Sequence, residues 1–592
     1  MANTEKAAQE PLLTFAIITD THIRPPGGDE SSPFPVNDLA NDRARYAVAA
    51  IARHEPAFTI HLGDMVHPLP HLPTYGPAAK EALAIFEPLR DALYFVPGNH
   101  DIGDKPMAGS PAGPVDETSS EIYARYFGAD HFSFDQGGIH LVVMNSSLVN
   151  SGGDLENAQR QWLKEDLERN ATKRTMLFSH YPPFINEAGE QTHYDNYDEP
   201  GRSWLLDLTR KYQIEAVFSG HVHQFFYNRV GKTKLYCLPP TSFTRQDYSE
   251  LYQIEPAAEY GRNDTGPFGY ALVDVFTAGH QLPMIPTEGR QLSDGERLKD
   301  SDPIAVRPAP APFVVHLRHA WARAHDMPYN GPMEEFGRKR ARDDYVLLRL
   351  WQMGLSQVRT PLSDLFDPEY EPRIRDYAAT GIRFTLFCPG VASAEAWQAC
   401  LDYAGLIDAV EFVASSGDLS DLAEELAVFA GAGGPPVQVG KFHSSAHEPQ
   451  KGSKFAHSVS YGFKWEDRNG LLATLQEADR NGTVSGVAFQ VGLDDDLAAR
   501  LGEMDRWAAA VGLKSVAVIR LANSNPALAN FDDGAIAARI ADALDAAADL
   551  EHTTLQLDTF ADIDRAYHPR NGLVDRRTNL RAAGRYLASR ES

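Results

Sequence analysis

Residues 13–22 have the sequence LTFAIITDTH, in which the largely apolar run Leu13–Thr19 is followed at once by Asp20, Thr21 and His22. The same order, an apolar run of strand length and then a polar group, recurs along the first half of the chain. The later polar groups are Gly63-Asp64, Gly98-Asn99-His100-Asp101, His180 and Gly220-His221-Val222-His223. Ligand-type side chains at strand ends meet where the carboxyl edge of a sheet opens into a crevice.

The apolar runs of the first half are continuous rather than alternating, which is typical of strands covered on both faces. The predicted strands are Leu13–Thr19, Phe58–Leu62, Tyr94–Val96, Ile139–Met144, Met176–Ser179, Ala216–Ser219 and Tyr270–Val275. Helical patterns at Asn41–Ala52, Pro77–Leu93 and Ala158–Arg169 lie between several of them. This half is therefore predicted to be an α/β sandwich.

A proline-rich stretch at 286–312 predicts a semi-rigid linker between a domain of residues 1–285 and a domain of residues 313–592. The second domain has eight apolar strands, mostly alternating with helical patterns, which predicts a (β/α)₈ barrel. Its predicted strands are Phe313–Leu317, Ser356–Arg359, Arg383–Phe387, Ala409–Val413, Val437–Val439, Gly486–Gln490, Ser515–Arg520 and Thr554–Leu557. The segment His457–Phe463 is a candidate inserted strand.

Composition restricts the classes of partner. The chain of 592 residues has a formal net charge of -26, which disfavours binding to nucleic acid. No stretch approaches the roughly 20 apolar residues of a membrane span, and residues 1–11 lack an apolar signal core. We expect a cytoplasmic protein without a membrane or nucleic-acid partner, which could form a homo-oligomer.

The spacing of the polar groups suits metal binding. In Asp20-x-His22 the two side chains point the same way from an extended strand end, and His221-x-His223 does the same. The two oxygens of Asp64 can each face one ion, which holds two ions about 3.5–4 Å apart. Mixed nitrogen and oxygen ligands suit Fe, Mn, Zn or Co.

The ordered set Asp-x-His, Gly-Asp, Gly-Asn-His-Asp, His and Gly-His-x-His resembles the calcineurin-like metallophosphoesterase superfamily. The resemblance spans Asp20 to His223 and implies a four-layer α/β/β/α sandwich with two divalent or trivalent transition-metal ions. It implies that one metal takes Asp20, His22, Asp64 and His223. The other would take Asp64, Asn99, His180 and His221.

The resemblance also implies the chemistry. A hydroxide held by the metals would attack a phosphoester, and His100 would stabilise phosphoryl charge or protonate the leaving oxygen. The alternative for His100 is a supporting role beside the metal ligands. Asp101 is expected to orient this set of residues around the ligands. Purple acid phosphatases have a tyrosine ligand three residues after the Gly-Asp aspartate. Here that position is His67, so purple colour is not expected.

The short loops look more like those of bacterial cyclic-nucleotide and glycerophosphodiester phosphodiesterases, so the expected substrate is a small-molecule phosphodiester. A phosphomonoesterase is the nearest alternative, and a nuclease is disfavoured by the charge. Tyr181, His193 and Arg245 are candidate substrate-binding residues, although a surface ion pair would also explain the arginine. The densest basic run, Arg338 to Arg342, is interpreted as a solvated helix start.

Polar residues at the predicted barrel strand ends suggest a second site. They are Arg318, Arg359, Glu411, Lys441, Arg520 and Asp558. Active sites of such barrels lie on this face, but internal ion pairs would place the same residues there. The hypotheses left open are a ligand site for a polyhydroxylated or anionic group, a sugar-active enzyme that makes the chain bifunctional, and an inert assembly module.

Overall fold

The protein is described from a computed structural model. The described residues are 10–28, 32–107, 110, 112–251, 258–302, 304, 307–327, 339–414, 419–429, 431, 433–444, 459–479, 482–521, 532–562 and 571–591. The chain divides into two compact units. The first contains Met1–Ala305 and Ala324–Leu348, and the second contains Val306–Arg323 and Arg349–Ser592.

The first unit contains two six-stranded sheets. Its strands in chain order are β1 (Leu13–Ile18), β2 (Thr59–His61), β3 (Leu93–Phe95), β4 (Phe132–Gln136), β5 (Ile139–Val143), β6 (Arg174–Phe178), β7 (Ala216–Ser219), β8 (Phe226–Val230), β9 (Thr233–Cys237), β10 (Gly269–Phe276), β11 (Gly279–Gln281) and β12 (Met284–Pro286). One sheet has the order β11-β10-β1-β2-β3 with β12 on β10, and the other has the order β4-β5-β6-β7-β9-β8.

The two sheets face each other and carry helices on their outer faces. The rings of Phe15 on β1 and Phe178 on β6 meet edge to face at 6.1 Å. The helices are α1 (Ala40–Arg53), α2 (Tyr75–Ile85), α3 (Asn99–Ile102), α4 (Glu117–Phe127), α5 (Asp154–Arg169) and α6 (Gly201–Lys211). One apolar core joins α1, α2 and α4 to the first sheet, and another joins α5 and α6 to the second. The predicted four-layer sandwich is confirmed.

The second unit is a closed barrel of eight parallel strands. They are β13 (Ala311–His316), β16 (Leu355–Pro361), β17 (Arg383–Pro389), β18 (Ile407–Ala414), β19 (Val437–Ser444), β21 (Val484–Val491), β22 (Lys514–Arg520) and β23 (Thr553–Asp558). The order is β18-β17-β16-β13-β23-β22-β21-β19, and pairing of β18 with β19 closes the ring. All eight predicted strand positions fall on these strands. The inserted strand is β20 (Val459–Tyr461), antiparallel to β19, and residues 457 and 458 lie outside the described residues.

Seven helices lie between the barrel strands in the described residues, and α14 follows the last strand. They are α7 (Tyr345–Gln352), α8 (Glu371–Ala378), α9 (Ala394–Asp402), α10 (Leu419–Val428), α11 (Arg468–Ala478), α12 (Leu497–Val511), α13 (Asp533–Ala547) and α14 (Ala582–Ala588). Among the described helices, none is both long enough and apolar enough to cross a bilayer.

Two segments depart from the sequence-based expectation. The predicted linker begins inside β12, which pairs with β10, and its Leu292, Leu298 and Ile304 pack against the core of the first unit. Residues 324–348 follow the first barrel strand in the chain but belong to the first unit. We call the described parts of this stretch, 324–327 and 339–348, the inserted segment. Its short strands β14 (Ala324–Asp326) and β15 (Arg340–Arg342) pair antiparallel.

Candidate metal centre

Five residues at the ends of the central strands have left-handed backbone conformations. Their φ angles are 51° at Asp20, 46° at His22, 54° at Asp64, 68° at His221 and 57° at His223. Such a conformation costs a non-glycine residue on the order of 1–3 kcal/mol and persists only where the surrounding structure enforces it. These strained turns direct the five side chains towards one crevice at the carboxyl ends of β1, β2 and β7.

The first group of converging side chains is Asp20, His22, Asp64 and His223, all buried. The Nε2 atoms of His22 and His223 face each other at 3.0 Å. His223 Nε2 lies 3.2 Å from Asp20 Oδ1, and His22 Nε2 lies 3.5 Å from Asp64 Oδ2. Two imidazole nitrogens and two carboxylate oxygens therefore surround one point.

The second group shares Asp64 and adds Asn99, His180 and His221. The Oδ1 atom of Asn99 lies 3.1 Å from His180 Nε2 and 3.0 Å from His221 Nδ1. The other oxygen of Asp64, Oδ1, lies 3.4 Å from His180 Nε2. Among the residues that the structure describes, Asp64 is the carboxylate that belongs to both groups, which is the position that the sequence predicts for a bridging ligand.

Backbone carbonyls orient two of the histidines. His180 Nδ1 donates to the carbonyl of Leu62 at 2.8 Å, and His223 Nδ1 donates to that of Phe243 at 2.6 Å. Each bond holds a proton on Nδ1 and turns Nε2 towards the crevice, which is the usual arrangement of a metal-binding histidine. Phe243, which the sequence analysis did not identify, also packs its ring 4.8 Å from His22.

Asp101 organises the backbone of the crevice. Its Oδ2 accepts hydrogen bonds from the N–H groups of Asp64 at 2.7 Å and Gly98 at 2.9 Å, and its Oδ1 accepts from Val66 at 3.2 Å. Gly98 must lack a side chain, because a Cβ there would overlap the backbone of Asp64. Asp101 is fully buried and lies behind the crevice, so its position is that of an orienting residue.

His100 is the partly exposed histidine of the crevice. Its Nδ1 donates to the carbonyl of His67 at 2.5 Å, and its backbone N–H donates to Asp64 Oδ1 at 2.9 Å. Its ring lies 4.7 Å from that of His22. His67 itself is buried, with Nδ1 3.4 Å from His22 Nδ1. His67 stands at the position of the tyrosine ligand of purple acid phosphatases, and it lies beside the first group.

Burial and neighbouring charges determine the protonation states of the side chains in the crevice. Burial lowers the pKa of His22 and of His221 well below the usual range, so both imidazoles are neutral near pH 7. Burial alone would raise the pKa of Asp64, but His180, His100 and His22 hold it well below its usual value. Neutral imidazoles and an ionised carboxylate are the protonation states in which these side chains bind metals.

The predicted substrate-binding residues make contacts within the protein. Tyr181 is buried, with its hydroxyl donating to Asp104 at 2.7 Å and its ring 4.1 Å from that of His221. His193 Nε2 lies 3.2 Å from Glu190. Arg245 forms an ion pair with Asp195. Tyr181 therefore lies at the second group, whereas the polar atoms of His193 and Arg245 face carboxylates.

A buried charge cluster lies beside His221. Asp195 is fully buried, and its Oδ1 lies 3.8 Å from His221 Nε2. Lys339 Nζ joins Asp195 Oδ2 at 2.6 Å to Asp247 Oδ2 at 2.5 Å. Burial would raise the pKa of Asp195, but Arg245 and Lys339 hold it well below its usual range. The orientation of a side chain next to His221 thus depends on a lysine from the inserted segment.

The inserted segment is fixed by further buried polar contacts. Tyr345 donates from its hydroxyl to Gln224 at 2.6 Å, Asp344 accepts from the backbone N–H of Tyr227 at 3.0 Å, and Arg342 donates to Asn228 at 2.6 Å. The interpretation of this basic run as a solvated helix start is wrong. Lys339 and Arg342 are buried and residues 340–342 form β15, while Arg338 lies outside the described residues.

Four of the six predicted barrel-site residues form one network. Arg359 donates from Nε to Glu411 at 2.5 Å and from Nη1 to His316 at 3.2 Å. His316 Nδ1 lies 3.6 Å from Asp558 Oδ1, and Asp558 also pairs with Arg318. The other two predicted residues are Lys441 and Arg520. Lys441 lies on β19 in register with Ala414 of β18, and Arg520 lies on β22 in register with Asp558 of β23.

The donor set of the crevice fits two transition-metal ions. Each group offers imidazole nitrogens with carboxylate or amide oxygens, the ligand types that suit Fe, Mn, Zn or Co. The Nε2 atoms of His22 and His223 lie 3.0 Å apart, and because the Nδ1 proton of His223 is held by the carbonyl of Phe243, its Nε2 has a lone pair for a cation.

Comparison with known proteins agrees with this geometry. Residues 13–225 match the family profile of calcineurin-like phosphoesterases. The first compact unit is a calcineurin-like metallophosphoesterase domain. The match ends just after His223, so it contains the two groups of converging side chains of this domain.

Several curated relatives of the metallophosphoesterase domain carry different names. The chain is 31% identical over 209 residues, 33% of its length and 62% of the relative, to serine/threonine-protein phosphatase CPPED1 of Danio rerio. It is 30% identical over 136 residues, 22% of its length and 45% of the relative, to a probable glycerophosphodiester phosphodiesterase GpdQ of Arcobacter nitrofigilis. The chain spans about half the length of the first curated relatives it matches, 54% in the Mus musculus protein.

Among solved structures, the purple acid phosphatase PPD1 of yellow lupin is similar to the chain at 16% identity with a TM-score of 0.35. The matched part covers 48% of this chain and 53% of that one.

We predict that Lys339→Met destabilises the metallophosphoesterase domain, because it removes one of the two buried cations, Lys339 and Arg245, that Asp195 and Asp247 share. Breaking a buried ion pair by removing one partner costs about 3–5 kcal/mol. The measurement is calorimetric unfolding of the metal-free full chain. Arg340→Met is the matched control, since Arg340 is an exposed neighbour and surface substitutions stay within about 0.5 kcal/mol. Equal melting temperatures for the two variants would contradict the structural role of Lys339.

Proposed function

We propose that the metallophosphoesterase domain is a binuclear metal-dependent phosphoester hydrolase and that its substrates are small-molecule phosphodiesters. The observation that carries the hydrolase proposal is the position of Asp64. One of its oxygens faces His22 at 3.5 Å and the other faces His180 at 3.4 Å. A carboxylate with one oxygen for each of two ions is the bridging element of two-metal hydrolases.

In this proposal the two groups hold one ion each. Asp20, His22, Asp64 and His223 bind the first ion. Asp64, Asn99, His180 and His221 bind the second. The metals, when bound, supply Lewis acidity towards a phosphoryl oxygen and towards water. Their identity is Fe, Mn, Zn or Co on the basis of the ligand types.

The protein's own groups then position the substrate and move protons. His100 Nδ1 donates to the carbonyl of His67, so the ring is held with Nε2 turned away from that bond. In its protonated form His100 offers the proton on Nε2 to a phosphoryl or leaving oxygen. The backbone bond from His100 to Asp64 keeps this ring at a fixed distance from the bridging carboxylate. Asp101 acts through the backbone of the loop that carries Asp64 and of the loop that carries Gly98, so it is a positioning residue.

The charge around the second group supports a diester. A phosphomonoester carries close to two negative charges at neutral pH, whereas a diester carries one. The cations on the His221 side, Arg245 and Lys339, both face Asp195 and Asp247. The two carboxylates balance the charge of the two cations, so a dianionic substrate gains little electrostatic stabilisation on this side of the crevice. The rings of Tyr181 and Tyr194, 4.1 and 4.9 Å from His221, offer contacts to an organic substituent. The GpdQ-type relative, a probable phosphodiesterase by name, supports the same choice.

A monoesterase is the second candidate, and the relatives named CPPED1 favour it. They are serine/threonine-protein phosphatases by name and match a longer part of this chain than the GpdQ-type relative does, 209 residues against 136. The metal centre would be the same in both cases, because only the groups that surround the phosphoryl substituents differ.

We predict that His100→Ala retains the metal content of the wild type and loses about 10²–10⁴-fold in kcat, the usual contribution of a positioned acid or base. Asp64→Ala, in contrast, is expected to lose both ions, because both groups share its carboxylate. Metal content is measured by elemental analysis of the purified variants. His71→Ala is the matched control, since His71 is exposed and should keep activity and metals.

A His100→Ala variant that lacks one ion at unchanged expression would show that His100 is a ligand or a support, and the proposed role would be wrong.

We predict that kcat/KM for bis(p-nitrophenyl) phosphate exceeds kcat/KM for p-nitrophenyl phosphate, measured with the same metal and pH. Chelation should abolish both activities, and Mn, Co or Zn should restore them. Hydrolysis that survives chelation would refute the metal-dependent mechanism, whereas a tenfold or greater preference for the monoester would refute only the choice of diester.

A further inference from the structure

The second unit contains a cavity of about 540 Å³ that the phosphoesterase chemistry does not use. It lies at the carboxyl ends of β13, β16, β17 and β19, the face on which barrels of this type bind their ligands. Its lining includes Arg318, Asp364, Tyr370, Phe387 and Phe442. The volume is in the range of pockets that hold small organic molecules.

Asp364 is the carboxylate of this lining, and within the described residues no cation forms an ion pair with it. Its Oδ2 accepts a hydrogen bond from Trp321 Nε1 at 3.1 Å. Its Oδ1 has no hydrogen bond among the described residues and is not enclosed by protein, since the side chain is only half-buried. A carboxylate taken partly out of water is unfavourable unless a cation or further donors compensate it. Oδ1 of Asp364 is thus available to a donor that enters the cavity.

The ionised groups of the described lining carry a net negative charge. Burial raises the pKa of Asp364 to about 6, so most of this carboxyl group is ionised at pH 7.5. Burial lowers the pKa of His316 to about 3 and that of His319 to about 4, so both imidazoles of the lining are neutral. Arg318 forms an ion pair with Asp558, which balances its charge. The charge of Asp364 therefore favours a cationic ligand.

Aromatic rings form part of the same lining. Tyr370 packs its ring 5.5 Å from that of Trp321, the donor to Asp364. Burial and the negative charge of Asp364 raise the pKa of Tyr370 to about 12, so these two groups are near each other. Phe387 and Phe442 are half-buried. Because aromatic faces attract cations and also contact apolar groups, this lining suits an organic cation with an apolar body.

Other classes of ligand fit these charges less well. An anion would be repelled by Asp364, and the guanidinium group of Arg318 is already paired with Asp558. A neutral alcohol could donate to Asp364 but would leave its negative charge without a cation. A protonated amine donates an N–H group and supplies the positive charge, and such a charge-assisted hydrogen bond is stronger than a neutral one.

We propose that this cavity binds a protonated amine with an apolar body. The ammonium group donates to Asp364 Oδ1, and the body of the ligand packs against Tyr370, Phe387 and Phe442. This site is independent of the metal centre and of the phosphoester substrate.

The amine site differs from the second site that the sequence suggested. Of the six predicted barrel residues, Arg318 belongs to this lining. Arg359 and Glu411 form a buried ion pair with each other, which is the internal arrangement that the sequence left open as the alternative. The ligand site stays at the strand ends, while the class of ligand becomes cationic instead of polyhydroxylated or anionic.

The test is calorimetric titration of the metal-loaded full chain at pH 7.5 with 2-phenylethylamine, 2-phenylethanol and 3-phenylpropanoate, which share a body and differ in head group. Hexylamine tests an aliphatic body. At least one amine should bind saturably, about tenfold or more tightly than the alcohol and the carboxylate. Asp364→Asn should weaken amine binding about tenfold or more, because it removes the charge and keeps an acceptor for Trp321. Asp402→Asn is the matched control, since Asp402 is exposed on α9 outside the lining.

The comparison of head groups is made on the wild type, so its result does not depend on the folding of a variant. The proposal is overturned if neither amine binds, or if the alcohol or the carboxylate binds as tightly as 2-phenylethylamine. It is also overturned if Asp364→Asn binds the amine as the wild type does, since the amine would then bind elsewhere. The melting temperature of Asp364→Asn should be unchanged or raised, because the lost charge has no cation partner among the described residues. A lowered melting temperature with unchanged amine binding would show a structural role and reject the site.

Discussion

Three backbone N–H groups, from Asp64, Val66 and Gly98, donate to the carboxyl group of Asp101, and the geometry of the metal centre depends on these bonds. They hold the loop after β2 against the loop after β3. Asp64 can then keep a left-handed φ of 54°. This conformation is unfavourable for a non-glycine residue and would not persist in an unconstrained loop. Because Asp64 belongs to both groups of converging side chains, the relative position of the two groups follows from Asp101, a residue that belongs to neither group.

The inserted segment adds a second constraint from far along the chain. Lys339 lies 144 residues after Asp195 and is joined to it inside the first unit. Asp195 in turn stands next to the outer nitrogen of His221. A carboxylate that faces the second nitrogen of a metal-binding histidine orients its ring and tunes its basicity. The metallophosphoesterase domain is therefore not a continuous stretch of sequence, and a fragment that ends at residue 305 lacks part of the surroundings of its second group.

The sequence predicts the parts of this structure that depend on local pattern. Apolar runs locate all eight barrel strands and the central strands of the sandwich, and the strand-end position of Asp20 or Asp64 follows from the run before it. The sequence does not predict strands β8 and β9, because polar residues such as Asn228 and Lys234 interrupt their apolar pattern. Lys339 could not be assigned, since a basic run beside acidic residues is typical of a solvated surface and only the tertiary fold buries it.

In the proposed metal centre, two ions share the carboxylate of Asp64. Crystals of the Mn-loaded chain, measured at the manganese absorption edge, test it by the positions of the anomalous peaks. We expect two peaks about 3.5–4 Å apart, one on each side of Asp64, with a different oxygen of that carboxylate nearest to each. A single peak, or two peaks of which only one lies against Asp64, would contradict it.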